Sequence, residues 1–154
     1  MPMITRKQNA GFTLIEVMVA LAELSIGMLG IASLYTQSLG ATRTTQYRGQ
    51  AINLLTDMAD RIRVNRTAEA AYEGAGADNN CDPAGGATCT PAEMAAHDLF
   101  VWGAQVQALL PGGAWTVAHD GTTAPPTYTI TVTWSEIGEA APVSAQFDIQ
   151  VPTI

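Results

Sequence analysis

The carboxylate with the most unusual surroundings in this chain is Glu16, inside the apolar run 11–22 (GFTLIEVMVALA). An ionised carboxylate in the hydrocarbon core of a membrane costs about 2.5–3.5 kcal/mol on insertion scales, so such a residue points to a function. Glu16 also lies close to the start of a predicted helix. The alternative interpretation is therefore a side chain that reaches the lipid headgroups.

A second carboxylate, Glu23, follows Glu16 after seven residues and falls on roughly the same face of a helix. It makes residence in a membrane less favourable, which would favour transfer of the helix into a filament. Two explanations stay open: Glu23 pairs with a cation of a neighbouring chain, or it is tolerated through Ser25 or water.

The two cysteines, Cys81 and Cys89, lie in a stretch rich in Gly, Asn, Asp and Ala (GAGADNNCDPAGGATC). A four-ligand zinc site is poorly supported, because there is no further cysteine and the next histidine is His97. We predict a local disulfide that closes this loop, and therefore an oxidising compartment.

No catalytic constellation is found. His97 and His119 are the only histidines, and no Ser or Cys stands in a motif typical of a nucleophile. Asp78 and Asp82 lack the spacing of an EF-hand calcium loop. We therefore expect no enzyme activity, no metal site and no cofactor.

Charge is distributed unevenly along the 154 residues. All seven basic residues lie at or before Arg66, whereas the stretch 67–154 contains ten acidic residues and no Lys or Arg. A phosphate backbone is bound by clustered cations, so we expect no nucleic-acid partner. The length suits one domain with a core of its own.

The N-terminal region combines a cationic leader with a long apolar stretch. Arg6 and Lys7 precede the stretch 12–39, which is long enough to cross a bilayer as a helix and too long for an ordinary signal peptide. The small residue Gly11 stands before the apolar stretch instead of after it. Cleavage after Gly11 would remove the leader, keep the helix and expose a new amine on Phe12.

The run 11–17 (GFTLIEV) resembles the processing site of type IV pilins and pseudopilins. Further residues resemble the PilV family of minor pilins, the type IV pilus modification proteins. They are LSIGMLGIASLYTQSLGATRTTQYRGQAINLLTDMADRIRVN and, later, Cys89, Pro91-Ala92-Glu93, Asp98, Trp102, LLPGG and the stretch from Thr131 to Glu136. The resemblance implies that a prepilin peptidase cuts between Gly11 and Phe12 and methylates the Phe12 amine. It also implies that Glu16 faces the amine of a neighbouring subunit and fixes the subunit register.

The same resemblance implies an α+β type IV pilin fold, in which a long N-terminal helix packs on a small antiparallel sheet. The expected parts are a leader (1–11), a transmembrane or filament-core helix (12–39), an amphipathic half of the same helix (40–66) and a globular head (67–154). The implied partners are prepilin peptidase, other minor pilins, the major pilin and a tip adhesin. The implied location is the inner membrane, with one span and a periplasmic head, and then the extracellular pilus, where the protein would support adhesion or twitching motility.

Periodicity supplies the elements that position these residues. Apolar residues recur on one face of the second half of the long helix, at Ala51, Leu55, Met58 and Ile62, with Ile52 and Ala59 at its margins. The residues Thr90-Pro91-Ala92-Glu93 predict a capped helix start, and the helix should end before Pro111. Three strands are predicted at 115–119, 128–134 and 145–151.

Two other functions remain compatible with the sequence. A minor pseudopilin of a type II secretion system would share the leader, Glu16 and the long helix. A single-span membrane protein with a periplasmic binding domain would share the apolar stretch alone.

Overall fold

The structure is a computed structural model that describes residues 11–81 and 88–152. Its elements are helix α1 (Leu14–Val64), a 3₁₀ segment (Arg66–Tyr72), helix α2 (Pro91–Leu109) and strands β1 (Ala114–Asp120), β2 (Thr127–Trp134) and β3 (Val143–Gln150). The long N-terminal helix and the three-stranded antiparallel sheet confirm the predicted α+β fold. The chain divides into two compact units, Met1–Ala41 and Thr42–Ile154.

The described residues of the first unit are the start of α1 and the three residues before it. Every one of them is exposed. The most apolar 18-residue window of α1 has a mean hydropathy of 2.0, and none of it is buried. By length and composition this helix is able to cross a membrane.

The second unit, called the globular unit below (Thr42–Ile154), holds the sheet in the order β1-β2-β3. Strand β2 alternates strictly, with Tyr128, Ile130, Val132 and Trp134 buried on one face, as its sequence pattern predicts. Both of its neighbours are antiparallel to it, and Ile130 is paired with Val117 on one side. The central strand therefore supplies most of the buried face of the sheet.

The end of α1 covers this face with a stripe of buried residues: Ala51, Leu54, Leu55, Met58, Ala59 and Ile62. The predicted apolar face is correct except at its edge. Ile52 is 61% exposed, whereas Leu54 is buried. An apolar stripe has two flanks, and the position of the partner sheet decides which flank is covered.

Helix α2 begins as its sequence predicts. The Thr90 hydroxyl accepts a hydrogen bond from the Glu93 N–H, and the Glu93 carboxylate accepts one from the Thr90 N–H at 2.8 Å. This capping box follows directly after Cys89 and lowers the pKa of Glu93 through the hydrogen bonds from Thr90. It fixes the point at which the cysteine loop passes into the helix.

An ion pair connects α1 to the residues after β2. The Arg48 guanidinium donates through Nε and Nη2 to the two carboxylate oxygens of Glu136, at 3.1 and 3.0 Å. The Trp134 indole N–H donates to the same carboxylate at 3.0 Å. Only 3% of the Glu136 side chain is exposed, compared with 57% of the Arg48 side chain. The hydrogen bonds from Arg48 outweigh burial and hold the pKa of Glu136 below its ordinary value.

The lowered pKa of Glu136 predicts a loss of stability in acid. A carboxyl group with a lower pKa in the folded state stabilises that state above its unfolded pKa, and this contribution disappears as pH falls through the folded pKa. We therefore expect Glu136→Gln to be less stable than the wild type at pH 7, with the difference shrinking from about pH 5 downward. Urea unfolding followed by tryptophan fluorescence measures this, since all three tryptophans lie in the globular unit.

Glu139→Gln is the matched control, because Glu139 is an exposed carboxylate in the same turn. Its unfolding midpoint should equal that of the wild type both at pH 7 and at pH 3. A difference between wild type and Glu136→Gln that is the same at pH 7 and pH 3 would contradict the assigned role of the charge.

Candidate assembly site

The N-terminal end of α1 leaves the predicted cleavage position accessible. Residues 11–13 precede the helix, and the side chain of Phe12 is 84% exposed. A Cβ built on Gly11 would meet no atom within 4 Å. On the described part of the chain, both residues of the predicted cleavage position are therefore exposed.

Thr13 holds the first turn of α1 in place. Its backbone carbonyl and its hydroxyl both accept the N–H of Glu16, at 3.1 and 3.4 Å. Thr13 and Glu16 have the three-residue spacing of a capping box. The carboxylate also stands in the first turn, where the helix dipole favours negative charge. Of the two hydrogen bonds of such a box, the structure shows the one that the Thr13 hydroxyl accepts, which the sequence analysis did not predict.

Glu16 lines two shallow depressions on the surface of α1. One of them is shared with Phe12, and its other residues are Val17, Ala20, Leu21 and Leu24. The second also contains Glu23, and its remaining residues are Ile15, Val19 and Ala20. The Glu16 carboxylate thus lies on an exposed apolar surface between Phe12 and the second carboxylate, Glu23.

Two parts of the chain match known family models. Residues 6–32 match the prokaryotic N-terminal methylation motif, and residues 33–100 match the model described as type IV pilin Tt1218. These matches show a type IV pilin. The chain is a component of a pilus or pseudopilus, and hence a structural protein and not an enzyme. No curated protein and no solved structure matches it significantly.

The first match places Gly11, Phe12, Glu16 and Glu23 together inside the methylation motif. The motif implies processing by prepilin peptidase and assembly with other pilins. Together with the apolar start of α1, it fits a pilin that is anchored in a membrane before assembly. The second match ends within α2, so the sheet lies outside both matched ranges.

The cysteine loop of this pilin closes in front of α2. Cys81 and Cys89 form a disulfide, with their Cα atoms 5.9 Å apart. The Asn79 side chain donates to the Glu93 carbonyl at 2.8 Å, and Nδ1 of His97 lies 3.2 Å from Asp78. These contacts attach the loop to the helix that follows it.

Neither histidine lies in a catalytic arrangement. The ring of His119 packs against that of Tyr128 at a centroid distance of 4.7 Å, with the two planes tilted by 46°. Among residues 11–81 and 88–152, no group of three His, Cys, Asp or Glu side chains is placed to hold a metal ion. Asp82, which was considered for calcium, lies outside the described residues.

A buried polar network between the helices was missed at the sequence level. The Asp98 carboxylate accepts a hydrogen bond from Arg61 at 2.9 Å and one from the Tyr72 hydroxyl at 2.8 Å. Arg61 also donates to Asp57 at 2.9 Å. Burial alone would lower the pKa of Arg61, but the hydrogen bonds to Asp57 and Asp98 raise it. The charge pattern predicts that Arg61 lies on a solvated face, but in the structure it is hydrogen-bonded to two carboxylates and connects α1 to α2.

Proposed function

We propose that this chain is a minor pilin that takes part in the initiation of type IV pilus assembly, in a priming or tip complex with other minor pilins. The single observation that carries the proposal is Glu16, an exposed carboxylate at the start of an apolar helix and the fifth residue after the expected cleavage point. The resemblance to the PilV family over most of the chain supports the minor-pilin role. Such a complex would support adhesion or twitching motility and contact the major pilin and a tip adhesin.

The proposed assembly depends on two charged groups, the amine of Phe12 and the carboxylate of Glu16. Cleavage after Gly11 leaves an ammonium group on Phe12, and prepilin peptidase would then methylate it. In a filament built from packed apolar helices, that ammonium and a carboxylate each lose their hydration, and pairing between neighbours recovers part of the cost. Glu16 and the Phe12 amine of a neighbour would thus fix the axial register of the subunits.

Localisation before assembly follows the same proposal. The basic residues Arg6 and Lys7 of the leader (1–11) support a cytoplasmic leader under the positive-inside rule. The segment 12–39 would then span the inner membrane, and the rest of the long helix (40–66) and the head (67–154) would lie in the periplasm. The disulfide between Cys81 and Cys89 supports this orientation, since the periplasm is oxidising.

Two substitutions of Glu16 separate the effect of its charge from the effect of its side-chain length. We expect both Glu16→Ala and Glu16→Gln to reduce the amount of this pilin in sheared filaments by about tenfold or more, because neither can pair with an ammonium. Gln has nearly the size and shape of Glu, so the Gln variant removes the charge and keeps the length of the side chain. Immunoblots of sheared pili, normalised to the membrane pool, give the measurement.

Normal incorporation of Glu16→Gln with loss of Glu16→Ala would mean that the length of this side chain matters and its charge does not, which would remove the register role. Mass analysis of the N-terminus from sheared wild-type pili tests the rest of the proposal. The expected first residue is a methylated Phe12. A chain that retains Met1 to Gly11 would instead favour a single-span membrane protein with a periplasmic binding domain.

A minor pseudopilin of a type II secretion system is the second candidate. The methylation motif and the long helix support it equally well, because both systems use this type of N-terminus. The disulfide loop and the PilV-like residues of the long helix favour the pilus. Two observations together would favour the pseudopilin instead. They are a gene position among secretion genes, and a deletion strain that loses secretion but keeps its pili.

A further inference from the structure

The apolar segment of this pilin contains more carboxylates than its own amine can pair with. Between residues 12 and 39 there are two carboxylates, Glu16 and Glu23, and no Lys or Arg. Cleavage after Gly11 adds one ammonium, at Phe12. If every neighbour in a filament were a copy of this chain, one carboxylate per copy would lack a cation.

The two carboxylates occupy one continuous surface. Seven residues correspond to almost two turns, so Glu23 lies on the same side of α1 as Glu16 and roughly 10 Å further along the axis. Both line the same depression, and the surface between them consists of Ile15, Val19 and Ala20. Because Ala20 is small, this surface offers room for an apolar side chain beside the carboxylate of Glu23.

We propose that Glu23 binds the N-terminal ammonium of a second neighbouring pilin of a different kind, while Glu16 binds that of the first. The apolar first residue of this second partner would lie in the depression beside Ala20, with its ammonium at Glu23. This proposal rests on the proposed function of the chain as a filament subunit. It gives the chain two positions at which a neighbouring N-terminus binds, roughly 10 Å apart along the axis of α1.

The charge of Glu23 and the apolar surface around it together indicate that the group bound there is a terminal ammonium. A carboxylate on an apolar face that another helix is to cover is stabilised by a cation, because an unpaired charge there loses its hydration without compensation. A terminal ammonium arrives at the end of an apolar helix and leaves no long polar side chain to be buried. Every position of α1 around Glu23 is exposed, so the surface is open to such a helix.

The first test compares full-length Glu23 variants in cells that make pili. We expect Glu23→Leu and Glu23→Gln to lower the amount of this pilin in sheared filaments by about tenfold or more relative to the membrane pool. Glu23→Asp, which keeps the charge, should retain most of the incorporation. Removal of an unpaired charge would act in the opposite direction, so equal or increased incorporation of Glu23→Leu overturns the proposal.

The second test identifies the occupant directly. Dicyclohexylcarbodiimide, an apolar reagent, joins a carboxylate to an adjacent amine without a spacer. Treated wild-type filaments should yield a peptide in which Glu23 is linked to the N-terminal residue of a different pilin. A link from Glu23 to a lysine side chain, or only the acylurea adduct of Glu23, overturns the assignment.

The two proposals fail in different ways. Absence of the wild-type chain from sheared filaments, or an uncut N-terminus, would overturn the proposed function. Incorporation that depends on Glu16 but not on Glu23 would overturn the second binding position alone.

Discussion

Replacement of Trp102 by alanine is expected to lower the free energy of unfolding of the globular unit by about 4 kcal/mol. Trp102 is fully buried on α2, and its indole N–H donates to the carbonyl of Leu54 on α1 at 2.9 Å. Its ring also meets that of Trp115 edge to face, at a centroid distance of 5.4 Å. One side chain thus joins α1, α2 and the first strand, and its removal leaves a cavity among all three.

The measurement is urea or thermal unfolding of the full chain in detergent, followed by the fluorescence of the two remaining tryptophans. Phe100→Ala is the matched control, because Phe100 is an aromatic residue of the same helix with 45% of its surface exposed. It should cost about 1 kcal/mol or less. If the two variants were equally destabilised, Trp102 would not anchor the helices as described.

The neighbouring Gly103 shows why Trp115 can approach so closely. A Cβ at Gly103 would lie 2.5 Å from the indole nitrogen of Trp115. The glycine therefore lies inside the continuous helix α2, where helix propensity alone would disfavour it, and the space that a Cβ would fill is occupied by an aromatic ring. The sequence alone does not indicate this contact, because Trp115 lies twelve residues after Gly103.

Regular elements are predictable from this sequence because their signals are local. The capping box at Thr90 and Glu93 and the strict alternation from Tyr128 to Trp134 each lie within a few residues. The structure confirms both. The processing motif around Gly11 is equally local, which is why the chemistry of the assembly site is more readily recognised than its partners.

The 3₁₀ segment Arg66–Tyr72 was not predicted, and its sequence (RTAEAAY) would continue a helix. Neither glycine nor proline marks the break, and Glu69 adopts a positive φ of 46° inside it. Tertiary contacts override the local preference, because the Tyr72 hydroxyl must reach Asp98 and Arg61. Burial raises the pKa of Tyr72, so the phenol keeps the proton that it donates.

Long-range ion pairs could not be predicted for the same reason. Arg48 and Glu136 are 88 residues apart in sequence, and Arg61 and Asp98 are 37 residues apart. Each residue alone is typical of a solvated surface. Only the packing of α1 on the sheet and on α2 brings the partners within hydrogen-bonding distance.

The Asp98 network gives the second large effect that we expect. Asp98→Ala should lower the free energy of unfolding by about 3 kcal/mol, because it removes the carboxylate that accepts hydrogen bonds from both Arg61 and the Tyr72 hydroxyl. The value lies at the lower end for a buried pair, since 27% of the Arg61 side chain is exposed and Asp57 remains as a second acceptor. Urea unfolding at pH 7 checks the prediction.

Asp60→Ala is the control on the same surface of α1. Asp60 pairs with Arg63 at 2.7 Å, but both side chains are about half exposed or more, so the loss should stay within about 0.5 kcal/mol. The double variant Arg61→Ala with Asp98→Ala completes the comparison. It should be less destabilised than the sum of the two single variants, because the second substitution removes the charge that the first leaves unpaired. Additive effects would mean that Asp98 and Arg61 stabilise the pilin independently, and that the contact between them contributes nothing of its own.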